Sequence, residues 1–343
     1  MLWRIALGAV VLGTIGNLGL IPVVPSALFV MGALAVIVGW CGQRDPWLGA
    51  LAGWYLTRAL LTPDTLALET TLAFVLGCVL VTVMQDASPG AARTTRIVVT
   101  TLGGIHLAFV CVQLSGYDPL WIWTDQRAIV HGITGNPNYL GAFLAISASI
   151  VPVLALPVWG AGIVATKSAL AGLTFGTVLL LRFPGQWKWT VPVSVLSATA
   201  VIWWRGGSLS SLLHRLAIVR FGAEYLWQHP GALLWGFGPG AWERLAPITV
   251  VTRQKGEMWL QAHNEFLQLG FDGGVIALLL LAGWLWSHRD AWRLAERRTI
   301  LVAILIESCG FFPFQVAVTA ILCLALLGQA TRRLPCDASS SPC

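Results

Sequence analysis

The chain has 343 residues, of which 57% are apolar and only 10% are charged, and its mean hydropathy is +0.76. Soluble domains carry charge on about a quarter of their residues, so this composition excludes a soluble protein and indicates an integral membrane protein. The net charge of +6 comes from 18 arginines and three lysines against 15 acids. Arginine holds loops in the cytoplasm and also binds phosphate through a rigid, bidentate fork.

Apolar stretches long enough to cross a bilayer recur along the whole chain. A spanning helix needs about 20 apolar residues, and the sequence predicts such helices over residues 2–20, 22–40, 46–62, 65–84, 97–115, 138–156, 189–204 and 264–286. The first stretch has a basic flank at Arg4 but no small-residue cleavage site, which favours a retained span over a signal peptide.

Arginine-rich segments set the predicted orientation. The segment SHRDAWRLAERR, residues 287–298, carries four arginines, and such loops stay in the cytoplasm. This orientation places residues 116–133 and the long loop 205–263 outside the membrane, and it places the tail 331–343 in the cytoplasm.

Two further apolar stretches complete the predicted topology. An even number of crossings must separate the two outer loops, which favours two short, broken segments over residues 157–181 that turn near Lys167. The stretch 299–328 is interrupted by GFFPFQ and is predicted as two short spans that meet outside at Pro313. We therefore expect an all-α integral membrane protein, with about 12 transmembrane segments in one polytopic domain over residues 1–343.

The long outer loop contains a predicted amphipathic helix, SLSSLLHRLAIVRFGAEYLWQHP, which ends at Pro230. Such a helix is expected to lie along the membrane surface. The following GFGPGAW is too rich in glycine to be helical and is predicted as a turn. The predicted apolar stripe of the helix is formed by Leu209, Leu212, Leu213, Leu216 and Val219.

Several charges lie where a membrane protein would normally avoid them. Arg58 and Glu69 flank a turn between two apolar spans, and we favour an ion pair that closes this hairpin over direct contact with substrate. Basic residues on the predicted outer side would form a patch that attracts an anion at the membrane surface: Arg127, Arg205, Arg215, Arg220, Arg244, Arg253 and Lys255. A nucleic acid is a poor candidate, because no interleaved aromatic platform accompanies these residues.

His263 stands at the predicted outer mouth of the 264–286 span, next to Asn264, which is suited to capping that helix. From the residues alone, His263 is either an interfacial histidine without a chemical role or a group that takes and orients a proton near neutral pH. The sequence contains no Ser/His/Asp triad, Walker loop or metal-ligand spacing that would compete with it. The seven cysteines form no CxxC or Cys/His cluster, so neither zinc nor a disulfide framework is expected.

Three stretches together resemble the O-antigen ligase and polymerase superfamily of bacterial membrane glycosyltransferases. They are HGITGNPNYLGAFLAI, HRLAIVRFGAEYLWQHPGALLWGFGPGAW and QAHNEFLQLGFDGGVIALLLL, in that order and at similar spacing. The resemblance covers roughly residues 120–330. It implies a C-type glycosyltransferase-like helical fold in the bacterial inner membrane, with the active site facing the periplasm.

The resemblance also implies roles for particular residues. Arg215 and His263 take the positions of the family's catalytic arginine and histidine, with Asn264 beside the latter. Lys167 stands where the family has an arginine in an outward turn. The residues expected to bind substrate are Arg127, Lys167, Arg220, Asn136, Asn138 and Asn264.

Family members transfer a glycan from an undecaprenyl pyrophosphate carrier to lipid A core, a growing polysaccharide or another acceptor, without a metal or nucleotide sugar. An inverting, metal-independent glycosyl transfer, with no cofactor, is therefore the leading expectation. Two alternatives remain at this point. A flippase or transporter of an anionic lipid-linked substrate would also use outward arginines and broken helices, and a non-catalytic partner in envelope assembly would not need His263.

Overall fold

The structure is a computed structural model that describes most of the predicted helical segments. The described residues are 23–62, 64–117, 130–134, 136–186, 188, 190–192, 210–245, 262–311, 313–314 and 317–332. They contain helices and no strands, so the described part of the chain is all-α, as predicted. The predicted span over residues 2–20 and most of that over 189–204 lie outside the described residues.

The helices are numbered here in chain order. They are α1 (Val23–Arg44), α2 (Pro46–Leu61), α3 (Thr65–Gln85), α4 (Pro89–Leu114), α5 (Pro137–Ser147), α6 (Leu156–Thr166), α7 (Ala169–Arg182), α8 (Ser210–Gln228), α9 (Pro230–Trp235), α10 (Ala241–Leu245), α11 (Glu265–Ser287), α12 (Ala295–Gly310) and α13 (Ala317–Ala330). Among the described helices, α3, α4 and α11 are long and apolar enough to cross a membrane. This agrees with a helical membrane protein.

Three of these helices begin in the same way, with an N-cap side chain followed by proline. The Oδ1 of Asp45 accepts from Leu48 N at 3.2 Å at the start of α2. The Oγ of Ser88 accepts from Ala91 N at 3.3 Å at the start of α4. Asn136 caps α5 in a similar way. Such caps satisfy an amide that has no partner inside the helix, and proline at the first helical position loses no hydrogen bond.

The predicted single span over residues 138–156 is wrong. Helix α5 ends at Ser147, and α6 begins only at Leu156. The Ser149 hydroxyl donates to the Ile146 carbonyl at 2.7 Å, an alternative to regular helical bonding, and Pro152 has no N–H with which to continue a helix. Arg182 Nη1 then donates to two carbonyls near this break, those of Ala148 at 2.7 Å and Val151 at 2.9 Å.

The other predicted breaks are confirmed as breaks between helices. Lys167, with φ 56°, separates α6 from α7. A second break follows Gly310, where α12 ends, and α13 begins at Ala317. The predicted spans 22–40, 46–62 and 65–84 correspond to α1 to α3, and the predicted span 97–115 corresponds to α4, which begins earlier, at Pro89.

The chain divides into two compact units, each assembled from separate stretches of sequence. Unit 1 comprises residues 1–82, 209–287 and 308–312, and unit 2 comprises 83–208, 288–307 and 313–343. In unit 1, α2 packs against α1 and α11, and α9 packs against α11. A buried cluster of Ile218, Leu226, Trp242 and Phe271 joins α8, α10 and α11.

Unit 2 is built around the three short helices α5, α6 and α7, which pack against one another. Helix α4 packs on α5 and α6, and α13 packs on α5. The core between them includes Leu140, Phe143, Trp159 and Phe175. Burial of such side chains is the main stabilising contribution available to helices this short.

Candidate functional site

Two predicted catalytic segments of unit 1 meet at the C-terminal end of α12. Arg215, in α8, donates from Nη1 to the Gly310 carbonyl at 2.6 Å. Asn264, the residue after His263, donates from Nδ2 to the Cys309 carbonyl at 2.7 Å. Arg215 and the His263–Asn264 turn are 48 residues apart in sequence, yet they bond to adjacent carbonyls of one helix end.

The end of a helix is a suitable anchor for both segments. The last four carbonyls of an α-helix have no partner within the helix, and they carry a partial negative charge that favours a nearby cation. Side chains of α8 and of the α11 cap satisfy two of these carbonyls. The contact therefore orients the Arg215 guanidinium while the helix end retains its hydrogen bonds.

His263 occupies a strained turn immediately before α11. Its φ is 52°, a left-handed conformation that is uncommon for residues other than glycine. Asn264 caps the helix as predicted, because its Oδ1 accepts from Leu267 N at 2.8 Å. Within the described residues, His263 shares a positive φ with one other non-glycine residue, Lys167. Both had been singled out from the sequence, and strain of this kind is often retained where a site requires it.

Helix α8 positions Arg215 through its buried face. Ile218 and Leu226 are buried, and Gly222 approaches α11 so closely that a Cβ there would lie 2.9 Å from Leu267. Leu216, which belongs to the predicted apolar stripe, is 54% exposed. The prediction of a helix that ends before Pro230 is confirmed, and contact of its apolar stripe with a membrane surface stays a prediction. The side chains of residues 209, 212 and 213 lie outside the described ones.

Helix α11 is interrupted at Gly274, where φ is 69° and ψ is −170°. The carbonyls freed around this break find donors elsewhere in unit 1. Phe271 O accepts from Phe237 N at 2.8 Å, and Asp272 O accepts from Gly238 N at 3.0 Å. Both donors belong to the predicted GFGPGAW turn. Backbone broken within an apolar span must be satisfied by protein groups, and the glycine turn supplies them.

Arg58 and Glu69 do not form the predicted ion pair. Arg58 donates from Nη2 to the Gly236 carbonyl at 2.9 Å, and Glu69 is exposed. The interaction is absent from the ion pairs of the described residues. The glycine turn offers a carbonyl beside the α2–α3 hairpin, so the guanidinium has a partner that the hairpin sequence alone does not reveal.

The other predicted outer arginines differ in their surroundings. Arg220 is paired with Glu224 at 2.7 Å, and its side chain is 80% exposed. Arg244 pairs with Asp64 at the α2–α3 turn. The rest of the predicted patch, Arg127, Arg205, Arg253 and Lys255, lies outside the described residues.

Three predicted substrate-binding residues belong to unit 2. Asn136 is the N-cap of α5, and its Oδ1 accepts from Asn138 N at 2.8 Å. The preceding loop is held by Gln113, whose Oε1 accepts from His131 N at 3.0 Å. Lys167 forms the left-handed turn after α6. These contacts explain the local geometry of all three residues, and their binding of substrate stays a prediction.

Sequence reasoning missed the carbonyl end of α12 as part of the candidate site. Main-chain oxygens carry no signature in a sequence, and Cys309 and Gly310 are separated from His263 by more than 40 residues. The only available signal was the break in the 299–328 stretch, which predicts that a helix ends there.

The described architecture is that of an all-helical protein with three helices able to cross a membrane. A site that joins an arginine, a strained histidine turn and a helix end lies in one of its two units. No family model matches the chain, and no curated protein matches it.

Proposed function

We propose that this protein transfers a glycan from an undecaprenyl pyrophosphate carrier to an acceptor. The acceptor is lipid A core, a growing polysaccharide or another hydroxyl-bearing molecule. The observation that carries the proposal is the convergence of Arg215 and the His263–Asn264 turn on adjacent carbonyls of α12. The sequence resemblance supplies the reaction, and this geometry supports it by bringing Arg215 and the residue next to His263 to one helix end.

Arg215 acts on the leaving group in this proposal. Its guanidinium has five N–H donors, and one of them is held by Gly310 O. The planar guanidinium matches the oxygens of a pyrophosphate, on which negative charge increases as the bond to the sugar breaks. Because the leaving pyrophosphate is stabilised in this way, the proposed transfer requires no metal.

His263 acts on the acceptor. The neutral imidazole accepts the proton of an acceptor hydroxyl while that oxygen attacks the anomeric carbon. The bond from this carbon to the phosphate oxygen breaks, its electron pair leaves with the pyrophosphate, and the configuration at the carbon inverts.

The remaining features of the proposal follow from the sequence resemblance. The proposed protein has a C-type glycosyltransferase-like fold of about 12 segments in the bacterial inner membrane, with its site facing the periplasm. Arg127, Lys167, Arg220, Asn136, Asn138 and Asn264 contact the donor or acceptor. Three described helices of sufficient length support a location in a lipid bilayer.

The decisive experiment uses the purified full-length protein in nanodiscs. It is incubated with a polyprenyl pyrophosphate-linked glycan and candidate acceptors, and mass spectrometry detects the new glycoconjugate. We expect product from the wild type and none from His263→Ala. The matched control is His229→Ala, since His229 is an exposed histidine of the same unit with a hydrogen bond from its ring to Tyr225 O.

The alternatives give different results in the same system. A flippase moves a fluorescent lipid-linked glycan between leaflets without forming a glycosidic bond. An assembly partner yields neither a glycoconjugate nor lipid movement, and His263→Ala then changes neither measurement. Absence of product with every acceptor class, in protein shown to be folded and to bind donor, rejects the proposed transfer.

A further inference from the structure

A buried polar pair lies behind the His263 turn, on one face of α11. Gln268 is 7% exposed and Asp272, one helical turn later, is 3% exposed. Buried amides and carboxylates cost free energy unless they are hydrogen-bonded. Polar groups kept at such depth next to a candidate site therefore call for a physical explanation.

Gln268 holds the backbone immediately before His263. Its Oε1 accepts from Ala262 N at 3.2 Å, and Ala262 itself is buried, with 1% exposure. Asn264 fixes the other side of the turn through α12 and Leu267. His263 is thus clamped between two anchored residues, which sustains its left-handed φ of 52°.

Asp272 is the polar neighbour of Gln268. Its carboxyl lies beside the Gln268 side chain and the backbone amides of Gly240 and Ala241. Because Gln268 Oε1 accepts from Ala262 N, Nε2 is the group that Gln268 has left to offer Asp272 as a donor. The glycine turn, Asp272, Gln268 and Ala262 thus form a chain of contacts between neighbouring groups.

We propose that Gln268, oriented by Asp272, is a positioning residue that sets the backbone of the His263 turn. This inference rests on the proposed function, because it assigns His263 a task for which position matters. Gln268 reaches neither substrate nor the proton in this scheme. It acts through Ala262, whose amide it fixes in the residue before the imidazole.

The first test is kinetic. Gln268→Ala should lower kcat by about 10- to 100-fold, since small displacements of a catalytic group have effects of this size. The donor KM should stay within about twofold, because Arg215 and α12 are untouched. The control is Gln228→Ala, which removes an exposed glutamine at the end of α8 in the same unit. A wild-type kcat in Gln268→Ala overturns the proposal.

A double-mutant comparison separates positioning from a general effect on stability. If Gln268 acts through His263, Gln268→Ala should lower kcat little further in a protein that already carries His263→Gln. The same substitution should retain its full effect in an Arg215→Lys background. If Gln268→Ala lowers kcat by its full factor in both the His263→Gln and the Arg215→Lys backgrounds, its role is merely structural and the inference is overturned.

Hydrogen exchange provides a reading that does not depend on turnover. Peptides covering residues 262–267 should exchange faster in Gln268→Ala than in the wild type, and Gln228→Ala should leave them unchanged. If the wild type transfers no glycan, the proposed function fails while this reading still decides whether Gln268 holds the turn. Unchanged exchange overturns the positioning role even in an active enzyme.

A second pair of variants serves if Gln268→Ala yields too little folded protein. Gln268→Glu retains an oxygen for Ala262 N but sets a carboxylate against Asp272, and it should lower kcat and speed exchange at the turn. Adding Asp272→Asn restores a donor and acceptor between the two side chains. Recovery of kcat and of slow exchange in this double variant supports the chain of contacts, and failure to recover either contradicts it.

Discussion

Gly236 and Gly274 face each other across the interruption of α11. A Cβ added to Gly274 would lie 2.6 Å from Gly236 N, and one added to Gly236 would overlap the Asp272 carbonyl. Neither backbone therefore has room for a side chain. The contact brings the glycine turn close enough to satisfy the carbonyls of the broken helix.

Gly274→Ala should destabilise unit 1. Gly274 combines φ 69° with ψ −170°, a region used almost only by glycine, at a cost of about 1–3 kcal/mol for other residues. Thermal unfolding monitored in detergent should show a clearly lowered midpoint. Gly104→Ala is the matched control, because Gly104 is helical with no atom within 4 Å of an added Cβ, and it should be neutral or slightly stabilising. Equal midpoints for the two variants would contradict the close contact.

Trp54→Phe tests whether the break in α11 needs its side-chain donor. Trp54 Nε1 donates to the Gly273 carbonyl at 2.8 Å. Phenylalanine keeps an aromatic ring but leaves that carbonyl unsatisfied, which should cost about 1–3 kcal/mol. Trp286→Phe, at a side chain that is 71% exposed, should change the unfolding midpoint little. A wild-type midpoint in Trp54→Phe would mean that the carbonyl is satisfied by another group.

Arg58→Met and Glu69→Gln distinguish the observed contact from the ion pair expected from sequence. Loss of the guanidinium removes the donor to Gly236 O and should lower stability by about 1–3 kcal/mol. Exposed Glu69 should be replaceable within about 0.5 kcal/mol. If both variants lose similar stability, and their effects are not additive in the double variant, the results would favour the Arg58–Glu69 ion pair over the contact with Gly236.

Arg215→Lys tests the proposed clamp on the leaving group. Lysine retains the charge but not the planar fork that binds oxygen atoms in pairs. We expect the transfer rate to fall about 100-fold, with protein yield unchanged. Arg293→Lys is the control, since Arg293 is 81% exposed and pairs only with a neighbour on the surface, and such pairs contribute little. A wild-type rate in Arg215→Lys would reject the clamp.

The sequence predicted most of the described helices because their boundaries are local. The cap at Asp45, followed by proline, marks where α2 begins, whereas α4 begins after the cap at Ser88 and not at the predicted residue 97. The break at Lys167 was also found, from the parity of crossings. The single span over 138–156 failed because serine hydroxyls and Pro152 end α5 early, and apolar content alone does not register this.

The site was harder to predict than the helices because it depends on contacts between distant segments. Arg215 and His263 were found by resemblance, but their common anchor is a pair of main-chain carbonyls. The burial of Asp272 cannot be predicted from its place in the sequence. Its neighbours Gly240 and Ala241 come from the glycine turn, and only the fold brings that turn to α11.

Asn264→Asp separates the two tasks of the Asn264 side chain. Aspartate keeps an oxygen for Leu267 N, and its charge suits the N-terminus of α11. It has no N–H for the Cys309 carbonyl, so the bond that joins the His263 turn to α12 is lost. Because this contact is exposed, water can replace the lost donor, and the free energy of unfolding should fall by no more than about 1 kcal/mol, while the transfer rate falls by about 10- to 100-fold.

Two further variants complete this comparison. Asn264→Ala removes the cap as well and should lower stability by about 1 kcal/mol, with a rate no higher than that of Asn264→Asp. Glu265→Gln changes the charge of the next residue without touching either bond and should leave the rate unchanged. If Asn264→Asp transfers glycan at the wild-type rate, the link between the His263 turn and the end of α12 is dispensable. The convergence on α12 would then no longer support the proposed reaction.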